Sequence, residues 1–144
     1  MVDLQGIAYR TASRAPMQLI DQCEVSLEEG VHTDTRGKPG KRQVTLLAAD
    51  SWSQACAELE MNLPWTTRRA NLLLSGVTFG PDDVGRQVRI GEVLLEITGE
   101  TAPCHRMDEQ HEGLTVILEP GWRGGVCCRV LSPGRIAVGD PVEM

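Results

Sequence analysis

The chain has 144 residues, of which 41% are hydrophobic, 24% are charged and only 3% are aromatic. This length predicts a single domain over residues 1–144, with a core that depends on Val, Leu and Ile rather than on rings. A formal net charge of −6 argues against nucleic acid as a partner. No apolar run approaches the roughly 20 residues needed to cross a bilayer, and the N-terminus does not read as a signal peptide. We therefore expect a cytoplasmic protein without a membrane partner.

The first elements predicted along the chain are extended. Apolar and polar residues alternate over much of 16–30, which indicates strand structure. Residues 28–42 are polar and rich in glycine, which is typical of a loop. Residues 43–49 and 71–77 are largely apolar and predict two strands.

The clearest predicted helix lies between those two strands, over residues 50–61. Ser51 and Gln54 have the spacing of a capping box at its start. Its apolar residues fall on one stripe, which should face the core. The stripe consists of Trp52, Ala55, Cys56 and Leu59.

The C-terminal half predicts further strands. Residues 86–99 predict a hairpin that turns at Gly91-Glu92, since glycine suits the first position of such a turn. Strands are also predicted at 114–118, 125–131 and 135–144. Altogether, about seven short strands with one or two short helices favour a mainly β fold, a closed or partly open β-barrel.

Cys104 is the residue on which a functional interpretation depends. The five cysteines are irregularly spaced, and without an export signal they are expected to be reduced. Cys104 follows Pro103 in a polar stretch, where Pro103 suits the first turn of a short helix. Unpaired backbone N–H groups there, with His105 and Arg106 nearby, would favour the thiolate. The alternative is a packing role, which is common for a free cysteine and which we expect for Cys127 and Cys128.

Two other chemistries for Cys104 receive little support from the sequence. A zinc site is disfavoured because Cys104, His105 and His111 lack the paired spacing of structural zinc ligands. A Cys–His hydrolase would need a base and an orienting carboxylate, and nothing in the sequence selects them. The conceivable residues are His32 or His111 as base, with Asp34 or Asp108.

Several blocks of the sequence, taken in order, resemble the MOSC domain, which is named for the C-terminal domain of molybdenum cofactor sulfurases. The blocks are "GIAYRTASRAPM", "RQVTLL", "RRANLLLSGV", "IGEVLLEITGETAPC" and "GWRGGVCCRVLSPGRIAVGDPV". Their order and spacing are similar to the family over nearly the whole chain. The resemblance implies a barrel like that of the pyruvate kinase β-barrel domain.

The resemblance also implies a role for Cys104, because the cysteine of the P-C element is the signature residue of MOSC proteins. One implied role is a sulfur carrier that holds a persulfide. The other is a molybdenum ligand in a protein that binds molybdopterin and reduces N-hydroxylated compounds. Both roles need an accessible thiolate. A cysteine desulfurase or a separate electron-donor protein would be the partner.

The cofactor implied by the resemblance carries a phosphate, which arginine side chains could bind. The composition has twelve Arg against two Lys, which fits either an oxyanion site or an Arg-preferring composition. Arg69 and Asn71 correspond to the family's Arg-x-Asn element and would meet the molybdopterin phosphate or pterin. Arg36, Arg123 and Gly124 are weaker candidates. Structural alternatives are a strand-edge hydrogen bond for Asn71 and a solvated face for Arg68 and Arg69.

The chain departs from the family in its first polar loop and in its extent. Thr33 stands where relatives usually have glycine before Asp34, so the loop is expected to be shaped differently. The sulfurtransferase module of full-length sulfurases has no counterpart here, so pyridoxal phosphate is not expected. A function of a different class stays open, namely a non-catalytic module that binds a cofactor or a protein and uses Cys104 only structurally.

Overall fold

A computed structural model of the chain describes residues 1–12, 14–103 and 105–144, with residue 105 described by its backbone alone. Eleven strands are found in this part of the chain, together with two α-helices, α1 (Ala49–Glu58) and α2 (Leu114–Leu118). The strands are β1 (Asp3–Tyr9), β2 (Gln18–Ile20), β3 (Gln22–Ser26), β4 (Gly30–Val31), β5 (Val44–Ala48), β6 (Leu72–Ser75), β7 (Gln87–Ile90), β8 (Val93–Glu100), β9 (Val126–Ser132), β10 (Gly134–Ala137) and β11 (Val142–Glu143). Four 3-10 helices span Trp65–Arg68, Pro81–Asp83, His105–Glu109 and Pro120–Trp122.

The strands form two sheets. Eight strands lie in the order β11-β7-β8-β9-β5-β6-β1-β2, and three in the order β10-β3-β4. Backbone hydrogen bonds and an isolated bridge join the start of β1 to residues 139–142. The sheets are nevertheless not closed. The predicted mainly β class is therefore confirmed, whereas the barrel stays a prediction.

Helix α1 connects the single parallel pair among these strands, β5 and β6. A parallel pair requires such a crossover, because the chain must return to the same end of the sheet before the second strand begins. The predicted apolar stripe is confirmed for Trp52, Ala55 and Cys56, which are buried. The predicted capping box of Ser51 and Gln54 is wrong. The helix begins one residue earlier than expected, and its N-cap, Ala48, makes no side-chain capping bond.

The strand predicted at 114–118 is wrong, because this segment is helix α2. Gly113 has a φ of +88° and turns the chain into the helix. Leu114 and Leu118 are fully buried, while Val116 between them is 66% exposed. Burial at i and i+4 with exposure at i+2 fits a helix, because in a strand all three residues would lie on the same face. In so short an apolar run the two periods are not distinguishable from the sequence alone.

The other predicted C-terminal elements are present in modified form. The hairpin of β7 and β8 turns at Gly91-Glu92, and Gly91 has a φ of +56°. The predicted strand over 125–131 corresponds to β9. The strand predicted over 135–144 is divided by Gly139, whose φ is +99°, into β10 and β11. These two pieces belong to different sheets.

Two apolar clusters hold these elements together. Adjacent strand residues point to opposite faces, so Leu46 of β5 joins one cluster and Leu47 joins the other. The first cluster draws residues from both sheets, and the second lies under α1 and α2. The longest described helix, α1, has ten residues, and none of the helices in the described ranges is long and apolar enough to cross a membrane.

Candidate anion-binding cleft

A cleft of about 810 Å³ opens where five loops meet. The loops follow β1, connect β4 to β5, precede β6, follow β8 and precede β9. Nine of the fourteen Lys and Arg residues line this cleft, but only two of the twenty acidic residues do. The basic residues are Arg10, Arg14, Arg36, Lys38, Lys41, Arg42, Arg68, Arg69 and Arg106, and the acidic ones are Asp34 and Glu109. A chain of negative net charge thus concentrates its positive charge in one place.

Arg10 is the most informative of these basic residues. It follows β1 and is only 9% exposed. Burial lowers the pKa of its guanidinium, and the neighbouring charges of Arg69 and Arg36 lower it further, while Asp34 acts in the opposite direction. A buried cation surrounded by like charges is unfavourable unless an anion accompanies it. Within the described residues, no hydrogen bond or ion pair engages the Arg10 guanidinium.

Asp34 is directed at the backbone of the loops and not at a guanidinium group. Its carboxylate accepts hydrogen bonds from the backbone N–H of Arg10, at 3.0 Å, and of Arg36, at 3.1 Å. The backbone N–H of Thr35 donates to the Arg10 carbonyl at 2.8 Å. These bonds fix the β4–β5 loop against the end of β1, which keeps Arg36 beside Arg10.

Arg68 is the central structural residue of the cleft wall. It is 7% exposed, so the solvated face considered for it from the sequence is wrong. Its Nε donates to the Gly124 carbonyl at 3.0 Å and its Nη2 to the Thr101 carbonyl at 2.6 Å. It therefore ties the loop after β8 to the loop before β9. A side chain at position 124 would place its Cβ 2.7 Å from the Thr101 oxygen, so glycine is required there.

Among the residues predicted to bind a cofactor, Arg36, Arg69, Asn71 and Gly124 all line the cleft. Arg69 has a left-handed backbone, with φ of +64°, and its Nη1 donates to the Ala15 carbonyl at 3.2 Å. This conformation turns the chain from a 3-10 helix into β6. The contribution of these residues to ligand binding stays a prediction.

The Asn71 amide is held by the protein on both of its atoms. Its Oδ1 accepts hydrogen bonds from the Thr45 backbone N–H and hydroxyl, at 3.1 and 3.2 Å. Its Nδ2 donates to the Ala8 carbonyl at 3.2 Å. Asn71 thus joins β1, β5 and β6, which is the strand-edge role considered for it above.

Arg123 does not line the cleft. Its Nη2 lies 2.7 Å from the Glu58 carboxylate, and its Nη1 donates to the Ile117 carbonyl at 3.0 Å. The ion pair joins this residue to α1, away from the other arginines. We therefore do not include Arg123 in the cleft, despite the turn that it forms with Gly124.

Cys104 lies outside the described residues. The segments on both sides of it, Thr101-Ala102 and Arg106-Met107, line the cleft. A short helix is present near this position, as a 3-10 helix over His105–Glu109, but Pro103 precedes it and does not lie in its first turn as expected. The other four cysteines are buried free thiols, as expected for Cys56, Cys127 and Cys128. Burial raises the pKa of the Cys23 thiol to about 11 and that of Cys128 further.

Of the residues considered for the alternative chemistries, Asp34 lines the cleft, whereas Asp108 does not. His32 pairs with the Glu29 carboxylate at 2.5 Å, and neither His32 nor His111 lines the cleft. Asp108 accepts a hydrogen bond from the backbone N–H of Thr115, at 2.9 Å, and this bond lowers the pKa of the Asp108 carboxyl. No cluster of three or more His, Cys, Asp or Glu fit for a metal occurs in the described part of the chain.

Comparison with known families settles the relationship. Residues 29–143 match the family model described as the MOSC domain, which is most of the chain. The chain belongs to the MOSC domain family. The resemblance noted in the sequence is thus confirmed. MOSC domains are associated with proteins of the molybdenum cofactor, which gives the basic cleft a chemical context.

Solved structures of stand-alone MOSC proteins share this fold. The YuaD protein from Bacillus subtilis is 16% identical, with a TM-score of 0.78 over 99% of this chain and 94% of that one. YiiM from Geobacillus stearothermophilus is 17% identical, with a TM-score of 0.77 over 99% of this chain and 74% of that one. Identities this low show the fold alone. No curated protein matches the sequence significantly.

Sequence reasoning missed Arg10, Lys38, Lys41 and Arg42 as cleft residues. The run "RGKPGKR" over 36–42 was a visible signal, because four basic residues fall within one loop. Arg10 gave no such signal. Its importance arises from burial beside Arg36 and Arg69, which are distant in sequence and are brought together only by the fold.

Proposed function

We propose that this MOSC protein binds a molybdopterin-type cofactor in the basic cleft and handles sulfur or molybdenum through Cys104. The observation that carries the proposal is the cluster of basic side chains, including the buried Arg10, in a cleft that both segments flanking Cys104 also line. Family membership supplies the cofactor class, and the cleft supplies the charge that such a cofactor needs.

The chemistry of the cleft fits this ligand. Molybdopterin carries a phosphate, and Arg guanidinium groups bind phosphate oxygens through paired N–H donors. Arg10, Arg36 and Arg69 would hold the phosphate, since their mutual repulsion is relieved by an anion. The volume of about 810 Å³ lies within the range of pockets that enclose cofactor-sized molecules. When bound, the cofactor would supply a redox-active molybdenum centre, for which a thiolate is a suitable soft ligand.

Cys104 would act as its thiolate in either role, because surrounding positive charge lowers the pKa of a thiol. For the carrier role, the thiolate attacks the outer sulfur of a donor persulfide. A new S–S bond forms at Cys104 while the S–S bond of the donor breaks, and the donor leaves as a thiolate that takes up a proton. A cysteine desulfurase is the corresponding partner. For the reduction of an N-hydroxylated compound, the partner would be a separate electron-donor protein.

The test is metal content and intact mass after expression in a host that makes molybdopterin and purification without oxygen. We expect molybdenum in the wild type and its loss in Cys104→Ala for the ligand role. For the carrier role, we expect the mass of one additional sulfur on Cys104 after incubation with a cysteine desulfurase and cysteine. Cys56→Ala is the matched control, since Cys56 is a buried residue of α1 and does not line the cleft.

Alkylation distinguishes the proposal from a non-catalytic binding module. Cys23, Cys56, Cys127 and Cys128 are buried, so in the folded protein iodoacetamide should label Cys104 alone. An unreactive Cys104, with neither bound molybdenum nor transferable sulfur, would refute the proposal and favour the binding module.

A further inference from the structure

The loop between β4 and β5 carries a group of basic residues at the mouth of the cleft. We call this group the basic rim, and it consists of Arg36, Lys38, Lys41 and Arg42. All four residues are exposed, and Lys38 and Lys41 are the only lysines in the chain. None of the four lies within ion-pair distance of a carboxylate in the described residues. The charges of Lys38, Lys41 and Arg42 are thus available to a partner, as is that of Arg36 when no phosphate is bound in the cleft.

The loop that carries the basic rim is anchored at both ends. The buried amide of Gln43 donates to the carbonyls of Leu27, at 2.7 Å, and Gly37, at 3.1 Å. The Thr98 hydroxyl donates to the Lys41 carbonyl. Gly37 packs so closely on the backbone that a Cβ would clash with the Glu29 carbonyl oxygen. The backbone that carries these charges is therefore held in place, which reduces the cost of ordering the loop on binding.

The charge of the rest of the chain favours approach to this face. The net charge is −6 even though the basic rim contributes four positive charges, so the remaining surface repels an acidic partner. Such an asymmetry steers association and fixes orientation more than it adds affinity. We propose that the basic rim is the docking surface for an acidic protein, which approaches the mouth of the cleft. That this protein delivers sulfur or electrons rests on the proposed function, whereas the docking itself does not.

An acidic protein fits the basic rim better than nucleic acid does. No aromatic side chain is among the residues that line the cleft, so bases have no ring to stack on. Aromatic residues make up only 3% of the chain. A long phosphate backbone would also pass over the acidic remainder of the surface. A folded acidic protein needs to match only the four charges of the rim.

The experiment is an NMR titration of the ¹⁵N-labelled protein with three probes of similar length. One probe is a Glu- and Asp-rich peptide, the second is the same peptide with Gln and Asn instead, and the third is oligodeoxythymidine. We expect the acidic peptide to shift the amide signals of residues 36–42 and to bind about tenfold more weakly when salt rises from about 50 to 200 mM. We expect no binding of the amide peptide. Stronger binding of the oligonucleotide, or acidic-peptide shifts away from 36–42, would overturn the proposal.

Two triple variants that change the net charge by the same amount test whether binding depends on the basic rim itself. Lys38→Gln/Lys41→Gln/Arg42→Gln should weaken binding of the acidic peptide about tenfold. Arg86→Gln/Arg89→Gln/Arg135→Gln, outside the cleft, should leave it unchanged. Equal weakening in both would mean that net charge alone is responsible and would reject the docking surface. Both titrations are repeated with Cys104→Ala, so their outcome is independent of metal and sulfur chemistry.

Discussion

The cleft and the rest of the surface use positive charge in opposite ways. Four of the five arginines outside the cleft lie 2.5 to 3.5 Å from a carboxylate. Inside the cleft, leaving Arg68 aside, no basic side chain has a carboxylate of the described residues within ion-pair distance. The outer charges are neutralised within the chain. The positive charges in the cleft are instead available to an anionic ligand or an acidic partner.

This difference has an energetic consequence. An exposed ion pair contributes little to the free energy of unfolding, but it also costs little. A guanidinium that is largely removed from water beside like charges, with no carboxylate in ion-pair contact, is less favourable in the folded protein until an anion arrives. Arg10 is therefore expected to decrease stability in the ligand-free protein and to increase ligand affinity. Arg68 differs from it, because its hydrogen bonds to carbonyls hold the cleft wall together.

The largest expected effect is that of Arg68→Met, which should lower the free energy of unfolding by about 3 kcal/mol. The substitution leaves the carbonyls of Thr101 and Gly124 without this donor in a buried wall. Urea denaturation measures the change. Arg68→Lys is the control: it keeps the charge but cannot serve both carbonyls in the same geometry, so an intermediate loss is expected. A loss below about 1 kcal/mol for Arg68→Met would place Arg68 among the ordinary surface charges.

The sequence predicted much of the fold where the hydrophobic period was unambiguous. The stripe of α1 was found because Trp52, Ala55 and Cys56 recur at the i, i+3, i+4 spacing of one helical face. Gly91 predicted the position of the hairpin turn correctly, because glycine readily adopts the positive φ that the turn requires. Residues 114–118 were mistaken for a strand, since five apolar-rich residues fit either period. There the three-dimensional packing of Leu114 and Leu118 decided the structure.

The candidate site was less accessible to sequence reasoning. The resemblance identified Arg69 and Asn71, and both line the cleft. It did not distinguish the Asn71 amide, which is occupied by backbone partners, from a ligand-facing group. Arg10 and Arg68 acquire their roles through contacts with residues more than 20 positions away. Such contacts depend on strand order, which periodicity and turn signals do not specify.

A smaller effect, of opposite sign, is expected for Arg10→Met. Removing a buried charge repelled by Arg69 and Arg36 should raise the free energy of unfolding by about 1 kcal/mol in a buffer without polyvalent anions. Thermal and urea denaturation measure this gain.

Inorganic phosphate provides the complementary measurement for Arg10. A ligand that binds only the folded state at about ten times its Kd adds about 1.4 kcal/mol to stability. Wild type should gain stability with phosphate, and Arg10→Met should gain much less. Arg123→Met serves as the control, since Arg123 is paired with Glu58 outside the cleft and should keep the phosphate response. If phosphate did not change the stability of the wild type, the proposal that the cleft binds an anion would be contradicted.

The smallest effect is expected for Arg129 and Glu96, which face each other across β9 and β8. Their charged atoms are 2.5 Å apart, but the Arg129 side chain is 52% exposed, so water and salt screen the attraction. A double-mutant cycle with Arg129→Met and Glu96→Gln should give a coupling free energy of about 0.5 kcal/mol or less, decreasing as salt is added. A coupling well above 1 kcal/mol would mean that the outer pairs stabilise the fold substantially. The two regions would then differ mainly in the strength of their internal ion pairs. Whether basic side chains remain available to a ligand would be the lesser difference.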